Sequence, residues 1–527
     1  MSIGTRAAQA PDRAAVIDSG SGEIVTYRQL DERSNRLAQF FYAAGLRRGD
    51  TVALFMENTP RFFEVVWAAR RSGLYLTAVN RYLTVEEAAY IIADCDAQVL
   101  ISSFARADVA AALPGRLPRC RHFLMAGGSI DGWHSYEDAV AEFPAQPLDE
   151  QWLGELMLYS SGTTGRPKGV RKPLQPVKFD ADGALSDLLR GLGFGETTVY
   201  LSPAPMYHAA PLVFCISAQC AGGTVLMMPR FDPEDVLALI ERYRVTHSQF
   251  VPTMFVRMLK LPQEVRRRYD LSSHRLTIHA AAPCPVEVKR SMIDWWGPII
   301  HEYYGGTEGN GLTWIDSTAW LAHPGSVGRA VIGVVHVCDE DGAELPAGEA
   351  GLVYFERETI PFAYYKDPER TRASQHPLHP TWSTLGDLGY LDGEGYLYLT
   401  DRKAFMIISG GVNIYPREVE DTLVAHEAVR DVAVFGLPDP EMGEQVKAVV
   451  ELMDGFAPSE LLAAELTGFA RQRLAHFKVP KSLDFAEALP RLPTGKLYKH
   501  ALRAEYLLKI SSETQSEAAR VTPTALA

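Results

Sequence analysis

One segment of the sequence combines hydroxyl groups, glycines and a lysine: residues 160–169, SSGTTGRPKG, directly after a strand pattern ending at Tyr159. Glycines let successive backbone N–H groups turn towards an anion, and serine and threonine side chains add donors, so such a loop can bind phosphate. A flexible surface loop is the alternative, since clusters of this composition commonly have no other role. The segment is not a Walker A loop, because Pro167 stands where that motif requires glycine and Gly169 follows Lys168. A kinase or GTPase is therefore disfavoured.

The overall composition limits the classes of protein that the chain can belong to. It has 527 residues with a formal net charge of −13, and 47% of the residues are hydrophobic. A single hydrophobic core rarely grows beyond about 250 to 300 residues, so at least two domains are expected. The acidic balance disfavours nucleic acid as the main partner, because that role needs Lys and Arg concentrated on one surface.

Neither a secretion signal nor a transmembrane segment is predicted. The first twenty residues have no continuous apolar core behind a basic start. Residues 205–229 lack Asp, Glu, Lys and Arg, but His208, Pro211 and the pair Gly222 and Gly223 interrupt them, which predicts an interior helix, turn and strand. The six cysteines never form a C-x-x-C pair and are interpreted as buried, reduced thiols. We therefore expect a cytoplasmic protein.

The elements that must position the loop alternate between strands and helices over the first 330 residues. Apolar runs of strand length begin at five positions: Thr51, Ala97, Glu155, Val199 and Gly223. Such runs are typical of sheets that helices cover on both faces. Thr84 and Glu87 predict a capping box, and Asp232 precedes a proline at the first position of a helix. The predicted fold class is α/β, with layered, mainly parallel sheets and helices.

The last third of the sequence follows a different pattern. From about Gly333 it predicts short strands joined by glycine turns, as in a β-rich subdomain, and after Asp401 a smaller α+β unit begins. Residues 511–527 show no sustained periodicity and are predicted to form a disordered tail. The domain prediction, in chain order, is a large N-terminal domain (1–400), a hinge (401–403), a small C-terminal domain (404–510) and the tail (511–527).

Four further motifs accompany the loop. They are YGGTE (304–308), GDLGYLDGEGYLYLTDRK (386–403), GGVNIYPREVE (410–420) and PRLPTGK (490–496). In this order and spacing, the five motifs resemble the signatures of the adenylate-forming superfamily of acyl-CoA synthetases, luciferase-like enzymes and peptide-synthetase adenylation domains. The resemblance extends to about residue 505. One such motif is weak evidence, but chance is a poor explanation for five in order.

The resemblance implies an AMP-forming acid–thiol ligase that uses ATP, Mg²⁺ and CoA. A carboxylate oxygen must approach the α-phosphorus of ATP, and cations and fixed dipoles are needed to bring these two anions together. By resemblance, Thr163, Thr164 and Lys168 bind the outgoing phosphates, while Glu308 and Thr163 bind Mg²⁺, which needs few protein ligands beside phosphates and waters. The complete predicted ATP site is Ser160, Ser161, Gly162, Thr163, Thr164, Gly165, Lys168, Tyr304, Gly305, Gly306, Thr307, Asp387 and Arg402.

The resemblance also gives the remaining nucleotide contacts. Tyr304 would lie against the adenine ring, and the two glycines after it, Gly305 and Gly306, would let the backbone approach the nucleotide. Thr307 would donate to the α-phosphate. Asp387, predicted to lie in a glycine-flanked turn, would accept both ribose hydroxyl groups, with the help of Arg402 from across the hinge.

Lys496 is the residue on which the first half-reaction is expected to depend most. Its alternative is a solvated lysine, which describes most lysines in any chain. By resemblance, the C-terminal domain pivots about Asp401, moving Lys496 away and bringing a loop at Ser409, Gly410 and Gly411 to the acyl-adenylate. Glycine there would permit close passage of the pantetheine arm of CoA. A simple turn residue and a simple loop are the alternatives for Asp401 and the glycines.

The acyl pocket is expected to be uncharged. By resemblance it is built from residues 207–211, 250–255, 280–282 and 305–311, and Glu308 is the one charged residue among them. His208 would line the pocket near the acyl carboxylate, although a lone histidine is more often structural. A second charge on the substrate would need a buried partner, so amino acids are disfavoured and a fatty, cyclic or aryl acid is expected.

Several alternatives share these motifs. They are an acyl-AMP ligase that loads a carrier protein, a stand-alone peptide-synthetase adenylation domain, a luciferase-type oxygenase and a non-catalytic nucleotide-binding relative. The uncharged pocket disfavours the adenylation domain, and a mere nucleotide binder has no need of Lys496. The expected partners are a small carboxylic acid, ATP and CoA, with no nucleic acid, and the resemblance suggests a homodimer.

Overall fold

The computed structural model describes residues 2–160, 167–180, 184–282, 284–402, 405–409, 412–439, 442–491 and 497–520. The chain folds into two compact units, which are Met1–Val334 with Phe355–Ser383, and Val335–Tyr354 with Thr384–Ala527. Residues 384–400 are thus compact with the C-terminal unit. The predicted domain boundaries, 1–400 and 404–510, stay a prediction.

The strands and helices are numbered in chain order. The strands are β1 (Ala14–Asp18), β2 (Ile24–Thr26), β3 (Thr51–Phe55), β4 (Tyr75–Ala78), β5 (Ala97–Ser103), β6 (His122–Ala126), β7 (His134–Ser135), β8 (Glu155–Leu156), β9 (Leu158–Ser160), β10 (Lys168–Arg171), β11 (Val199–Ser202), β12 (Thr224–Met227), β13 (His247–Phe250), β14 (Leu276–His279), β15 (Ile300–Tyr304), β16 (Leu312–Ile315), β17 (Arg329–Ile332), β18 (Val334–Cys338), β19 (Gly351–Glu356), β20 (Ala363–Tyr364), β21 (Trp382–Leu391), β22 (Leu397–Arg402), β23 (Ile407–Ser409), β24 (Val412–Ile414), β25 (Val429–Asp439), β26 (Gly443–Leu452) and β27 (Ser482–Ala486). The helices are α1 (Ile3–Gln9), α2 (Tyr27–Ala43), α3 (Pro60–Arg71), α4 (Val85–Asp94), α5 (Ala107–Ala110), α6 (Tyr136–Ala141), α7 (Ala184–Gly191), α8 (Ala209–Cys220), α9 (Pro233–Tyr243), α10 (Pro252–Leu259), α11 (Gln263–Arg266), α12 (Val286–Trp296), α13 (Ser317–Ala322), α14 (Pro368–Ala373), α15 (Pro416–Val424), α16 (Glu460–Arg471) and α17 (Lys499–Arg520).

Two mainly parallel sheets form most of the first unit. The nine-stranded sheet has the order β17-β16-β15-β14-β13-β11-β12-β1-β2, with parallel pairing from β15 to β1. The six-stranded sheet has the order β7-β6-β5-β3-β4-β8 and is parallel throughout. Most of α3 is buried, because it packs between the two sheets against β1, β3 and β4. The layered α/β prediction is confirmed for this unit.

Helix starts and buried strands follow the sequence pattern closely. The Thr84 hydroxyl accepts from the Glu87 backbone N–H while the Glu87 carboxylate accepts from the Thr84 N–H, so α4 begins with the predicted capping box. Asp232 caps α9 through the backbone N–H groups of Glu234 and Asp235. These local contacts involve residues within three positions of each other, which is why the sequence reveals them.

A third, smaller sheet of the first unit has the antiparallel order β20-β10-β9. The sequence predicts one strand from Glu155, but the structure has two. β8 pairs with β4 in the six-stranded sheet, and β9 pairs with β10 in the small sheet. Between them, the buried residue Met157 donates its backbone N–H to Leu76. The chain therefore changes sheet immediately before the glycine-rich loop.

The two remaining described sheets lie mostly in the second unit. One has the order β18-β19-β21-β22, and the other has the order β24-β23-β26-β25 with β27 parallel to β26. Helices α15 and α16 pack on the second sheet, as an α+β unit requires. The predicted tail is wrong in its first part, because α17 continues to Arg520 and so includes residues 511–520. Residues 521–527 lie outside the described residues.

Candidate active site

The carboxyl edge of the nine-stranded sheet is where the first unit brings its predicted site segments together. Parallel strands end at the same edge, and the residues that follow β11, β13, β14 and β15 include all four predicted acyl-pocket segments. Open α/β sheets bind ligands at this edge. The segments are far apart in sequence, so the sheet order determines that they are neighbours.

The glycine-rich loop leaves and returns through two paired strands. Ser160 at the end of β9 is the register partner of Lys168 at the start of β10. Residues 161–166 lie outside the described residues, and this range contains the predicted Ser161, Gly162, Thr163, Thr164 and Gly165. The predicted phosphate-binding lysine of the loop, Lys168, is among the described residues. Its Nζ lies 5.3 Å from the centroid of the Tyr364 ring.

Glu308 is buried near the same ring. It has 8% of its surface exposed, and its Oε1 accepts a hydrogen bond of 2.9 Å from the Tyr364 hydroxyl group. Among the described residues no donor is bonded to Oε2. A buried carboxylate with one oxygen held by a hydroxyl group and the other left over fits a Mg²⁺ ligand, because Mg²⁺ takes one or two carboxylates beside phosphates. The structure thus brings Lys168 and Glu308 to one tyrosine.

The residues around Glu308 combine tight packing with accessible backbone. Tyr304 ends β15, and its ring lies 6.0 Å from that of Phe355. A Cβ on Gly305 would lie 3.0 Å from the Gly311 carbonyl oxygen, and one on Gly311 would lie 1.9 Å from the Phe355 ring. Glycine at these two positions is therefore needed for packing as well as for the predicted approach to a nucleotide. The other predicted residues of this turn, Gly306 and Thr307, are half-buried.

His208 stands at the N-cap position of α8, immediately after the β11 connection. Its ring lies 4.2 Å from that of Tyr207. The His208 Nε2 and the Tyr207 hydroxyl group are buried atoms that have no hydrogen-bond partner in the described part of the chain. Burial lowers the pKa of His208 to about 3, so its imidazole is neutral at pH 7. A neutral ring is compatible with pocket lining.

The other two acyl segments follow β13 and β14. Phe250 and Phe255 are fully buried, and Phe255 makes an edge contact with His279 at 5.3 Å. Neither ring nitrogen of His279 has a hydrogen-bond partner among the described residues, and burial beside Lys289 lowers its pKa. Ala281 has φ 73°, a left-handed backbone that is unusual for alanine. Sequence reasoning missed His279, since it precedes the predicted segment by one residue.

Two cationic side chains lie near the glycine turn after Glu308. Both come from parts of the chain distant in sequence from that turn. Arg357 donates to the carbonyl oxygens of Gly309 and Asn310 at 3.2 and 3.5 Å. The Nζ of Lys172 would lie 3.1 Å from a Cβ on Gly309. The turn itself is uncharged apart from Glu308, as predicted, but its surroundings are less apolar than the segment alone suggests.

The second unit contains the remaining predicted residues. Asp387 is buried. The predicted turn at Asp387 is wrong, because β21 continues through this residue from Trp382 to Leu391. Its register partner on β22 is Arg402, and Asp401 pairs with Leu388. Asp387 and Arg402 are therefore cross-strand neighbours within one sheet, where the long strand pairing overrides the local glycine signal.

The loop predicted to meet CoA follows β23, which ends at Ser409. Ser409 is half-buried and is the register partner of Val412 on β24. Gly410, Gly411 and the lysine of the PRLPTGK motif, Lys496, lie outside the described residues.

Three further features of the described part of the chain bear on the predictions. All six cysteines are free, and Cys220 is half-buried while the other five are buried. The described ranges contain no cluster of three or more His, Cys, Asp or Glu side chains suited to a metal ion. No described helix is both long and apolar enough to cross a membrane.

Comparison with known proteins identifies the family. A model of the AMP-binding enzyme family matches residues 4–365, and a model of the AMP-binding enzyme C-terminal domain matches residues 418–496. The chain is 35% identical to feruloyl-CoA synthase of Amycolatopsis sp over 505 residues, which cover 95% of this chain and 97% of that protein. It is 32% identical to the long-chain-fatty-acid–CoA ligase FadD13 of Mycobacterium tuberculosis over 508 residues, again covering 95% and 97%.

A solved structure agrees with these matches. The ATP-bound RpMatB-BxBclM chimera B1 superposes with a TM-score of 0.82 at 31% identity, covering 96% of this chain and 99% of that one. ATP, Mg²⁺ and CoA are the cofactor and co-substrates of this group of enzymes, as the motifs predicted. The chain therefore belongs to the AMP-binding enzyme family, in its acyl-CoA synthetase branch, and is an AMP-forming acid–thiol ligase.

Proposed function

We propose that the protein activates a hydrophobic monocarboxylic acid as acyl-AMP, releasing pyrophosphate, and then transfers the acyl group to CoA. One observation carries the choice of acid. The residues of the four acyl segments that keep some solvent exposure are all uncharged, and they include His208, Ala209, Ala282 and Thr307. An unpaired second charge on the substrate would be costly in such a place. The relatives named for feruloyl-CoA and for long-chain fatty acids support the proposal.

The roles of the site residues form part of this proposal. Lys168 and the threonines Thr163 and Thr164 bind the outgoing phosphates, and Glu308 binds the Mg²⁺ that offsets their charge. Preorganised cations and dipoles of this kind commonly supply the largest part of the rate enhancement. His208, neutral at pH 7, orients the acyl carboxylate as a hydrogen-bonding group without adding a charge.

The second unit supplies the rest of the proposed chemistry. Asp387 accepts from the ribose hydroxyl groups, with Arg402 on the neighbouring strand. Lys496 stabilises the charge that develops between the carboxylate and the α-phosphorus. Rotation about Asp401 then replaces Lys496 by the segment Ser409–Gly411, so that one active site performs two half-reactions. Such domain movements gate many multistep enzymes.

The test is acid-dependent release of pyrophosphate and AMP from Mg·ATP, measured with and without CoA. The acids are acetate, a medium and a long fatty acid, benzoate, cinnamate, a steroid acid and succinate. We expect turnover with a hydrophobic monocarboxylate, complete only with CoA. Succinate as the best substrate would contradict the hydrophobic assignment and point to Lys172 as its second partner. Indifference to CoA would instead favour a carrier protein as acceptor, and no release with any acid would favour a non-catalytic binder.

Oligomeric state and cellular location belong to the same proposal. We expect a homodimer, on the strength of the resemblance alone, and a cytoplasmic location, on the strength of the reduced cysteines. Sedimentation of the purified chain tests the first expectation, and fractionation of cells that express it tests the second.

A further inference from the structure

Tyr364 connects two parts of the first unit that the sequence keeps far apart. It lies on β20, whose backbone pairs with β10 at Val170, and β10 begins where the glycine-rich loop ends. Its hydroxyl group donates to Glu308, which follows β15 of the nine-stranded sheet. One side chain therefore joins the small sheet that carries the loop to the turn that carries the carboxylate.

The surroundings of Tyr364 fix its ring firmly. The ring packs with Val170 and Phe362 in a small apolar cluster, and the side chain is 9% exposed. Its backbone N–H donates to the Thr371 hydroxyl group at 2.9 Å, which anchors β20 to the start of α14. A rigid ring determines where its hydroxyl group can be. The Glu308 carboxylate is therefore held by a group that has little freedom of its own.

The hydrogen bond also makes the two oxygens of the Glu308 carboxylate different. Oε1 accepts from Tyr364, and Oε2 has no donor among the described residues. Hydrogen bonds that orient a metal ligand commonly contribute tenfold or more to metal affinity. The Nζ of Lys168 lies over the same ring, 5.3 Å from its centroid. Tyr364 thus contacts both the lysine that follows the glycine-rich loop and the carboxylate.

We propose that Tyr364 is a positioning residue, whose hydroxyl group fixes the Glu308 carboxylate so that its second oxygen is left for the divalent cation accompanying ATP. This inference rests on the proposed role of Glu308. It adds a residue outside the five motifs, 56 positions from Glu308 in the chain and on a different sheet. The spacing of the motifs gives no sign of it.

The experiment compares Tyr364→Phe with Tyr365→Phe in the full-length protein. Tyr365 is the adjacent residue, and its hydroxyl group donates to Asp96 at 2.8 Å, so the control removes an equivalent hydrogen bond from an equivalent ring. The readout is the dissociation constant of ATP by calorimetry, measured once with saturating Mg²⁺ and once with EDTA. We expect Tyr364→Phe to weaken Mg·ATP binding about tenfold and metal-free ATP binding by less than about twofold. Tyr365→Phe should change both by less than about twofold.

Equal effects of Tyr364→Phe with and without Mg²⁺, or no effect on either, would overturn the inference. A second variant, Glu308→Asp, withdraws the carboxylate by one methylene group while keeping its charge. It should weaken Mg·ATP binding, and adding Tyr364→Phe to it should cause no further loss. Full additivity in the double variant would also contradict the inference, because coupled residues are not additive. Unfolding midpoints of all variants exclude a general loss of structure.

These outcomes separate the inference from the proposed function. Mg²⁺-dependent loss in Tyr364→Phe, combined with no release of pyrophosphate by the native protein with any hydrophobic acid, would support the inference and reject the proposed function. Acid-dependent release by the native protein, with Tyr364→Phe equal to Tyr365→Phe, would reject the inference alone.

Discussion

Individual buried polar side chains at the carboxyl edges of the two mainly parallel sheets of the first unit differ in whether they are hydrogen-bonded. After β3 in the six-stranded sheet, the buried Asn58 side chain donates to the carbonyl oxygens of Ala204 and Met228 at 3.1 Å and accepts from the Met206 N–H at 3.0 Å. At the nine-stranded edge, buried polar atoms of Tyr207 and His208 have no partner among the described residues. The Asn58 amide is therefore fully bonded, and its partners follow β11 and β12 of the nine-stranded sheet, whereas the side-chain atoms of Tyr207 and His208 are not bonded.

This difference shows that sheet architecture alone does not locate a site. Both sheets have a run of parallel strands, and both offer a carboxyl edge. Buried polar groups in proteins are normally hydrogen-bonded, so unpartnered ones need an explanation such as a ligand. The contacts of Asn58 also link the two edges. They hold the connection after β11, residues 204–206, which leads directly to Tyr207 and His208.

The largest expected effect is a loss of activity when Glu308, at the nine-stranded edge, is replaced, compared with replacement of a glutamate at the six-stranded edge. We expect Glu308→Gln to lower acid-dependent ATP–pyrophosphate exchange about 100- to 1000-fold, because an uncharged amide cannot offset phosphate charge. The amide oxygen can still accept from Tyr364, so the unfolding free energy should change by less than about 1 kcal/mol. The measurements are exchange kinetics and urea denaturation.

Glu57→Gln is the matched control for that prediction. Glu57 follows β3 on the six-stranded edge, and its carboxylate accepts from the Ser103 hydroxyl group. The same chemical change there should leave exchange within about twofold. Equal losses in the two variants would mean that the distinction between the edges is wrong.

A smaller effect, on stability, should distinguish a bonded polar group from an unbonded one. Asn58→Ala leaves two buried carbonyl oxygens and one N–H without partners, so we expect the unfolding free energy to fall by about 2–3 kcal/mol. Tyr207→Phe removes a buried hydroxyl group that has no described partner. It should leave the unfolding free energy unchanged or raise it by up to about 1 kcal/mol. Urea denaturation at neutral pH measures both, and destabilisation by Tyr207→Phe would show that its hydroxyl group is bonded in solution.

The smallest effect concerns the pH dependence of stability. Burial lowers the pKa of His208 from the ordinary 6.5 to about 3. Below pH 6.5, His208 therefore binds a proton in the unfolded chain but stays neutral in the folded protein. The contribution to stability is fully present above pH 6.5 and is lost as the pH falls towards 3, by at most about 1.4 kcal/mol per pH unit. His208→Gln should therefore lose stability less steeply on acidification.

The control for the pH experiment is His134→Gln, at an exposed position of β7 in the six-stranded sheet. Its slope of unfolding free energy against pH should follow that of the native protein. The slopes come from denaturation curves between about pH 7 and pH 5, where the unfolded histidine takes up most of its proton. If the slope of unfolding free energy against pH in His208→Gln equalled that of the native protein, the His208 ring would be solvated in the folded native protein.

Features that depend on near neighbours in the chain were predictable from the sequence. The caps of α4 and α9 and the buried strands from Thr51, Ala97 and Val199 all appear where the pattern places them. In each case the decisive contact joins residues at most a few positions apart, or the decisive property is apolar character along one short run.

The predictions that failed did so where a longer-range pairing prevailed over a local signal. Asp387 is flanked by a glycine that favours a turn, yet β21 continues because β22 pairs with it from Asp387 to Leu391. The run from Glu155 looks like one strand, yet β8 and β9 pair with partners in different sheets. The polar sequence after Ser511 lacks apolar periodicity, yet α17 continues to Arg520.

By itself, the sequence determined the family of this protein, its α/β class and the types of residue at its site, because motifs and capping signals are written in consecutive residues. The tertiary structure alone decided which of those residues meet. Sheet order placed the segments after β11, β13, β14 and β15 at one edge, and strand pairing brought Tyr364 from β20 to Glu308. The reason is physical: a hydrogen bond between residues 56 positions apart depends on the packing of whole sheets, and no local pattern encodes it.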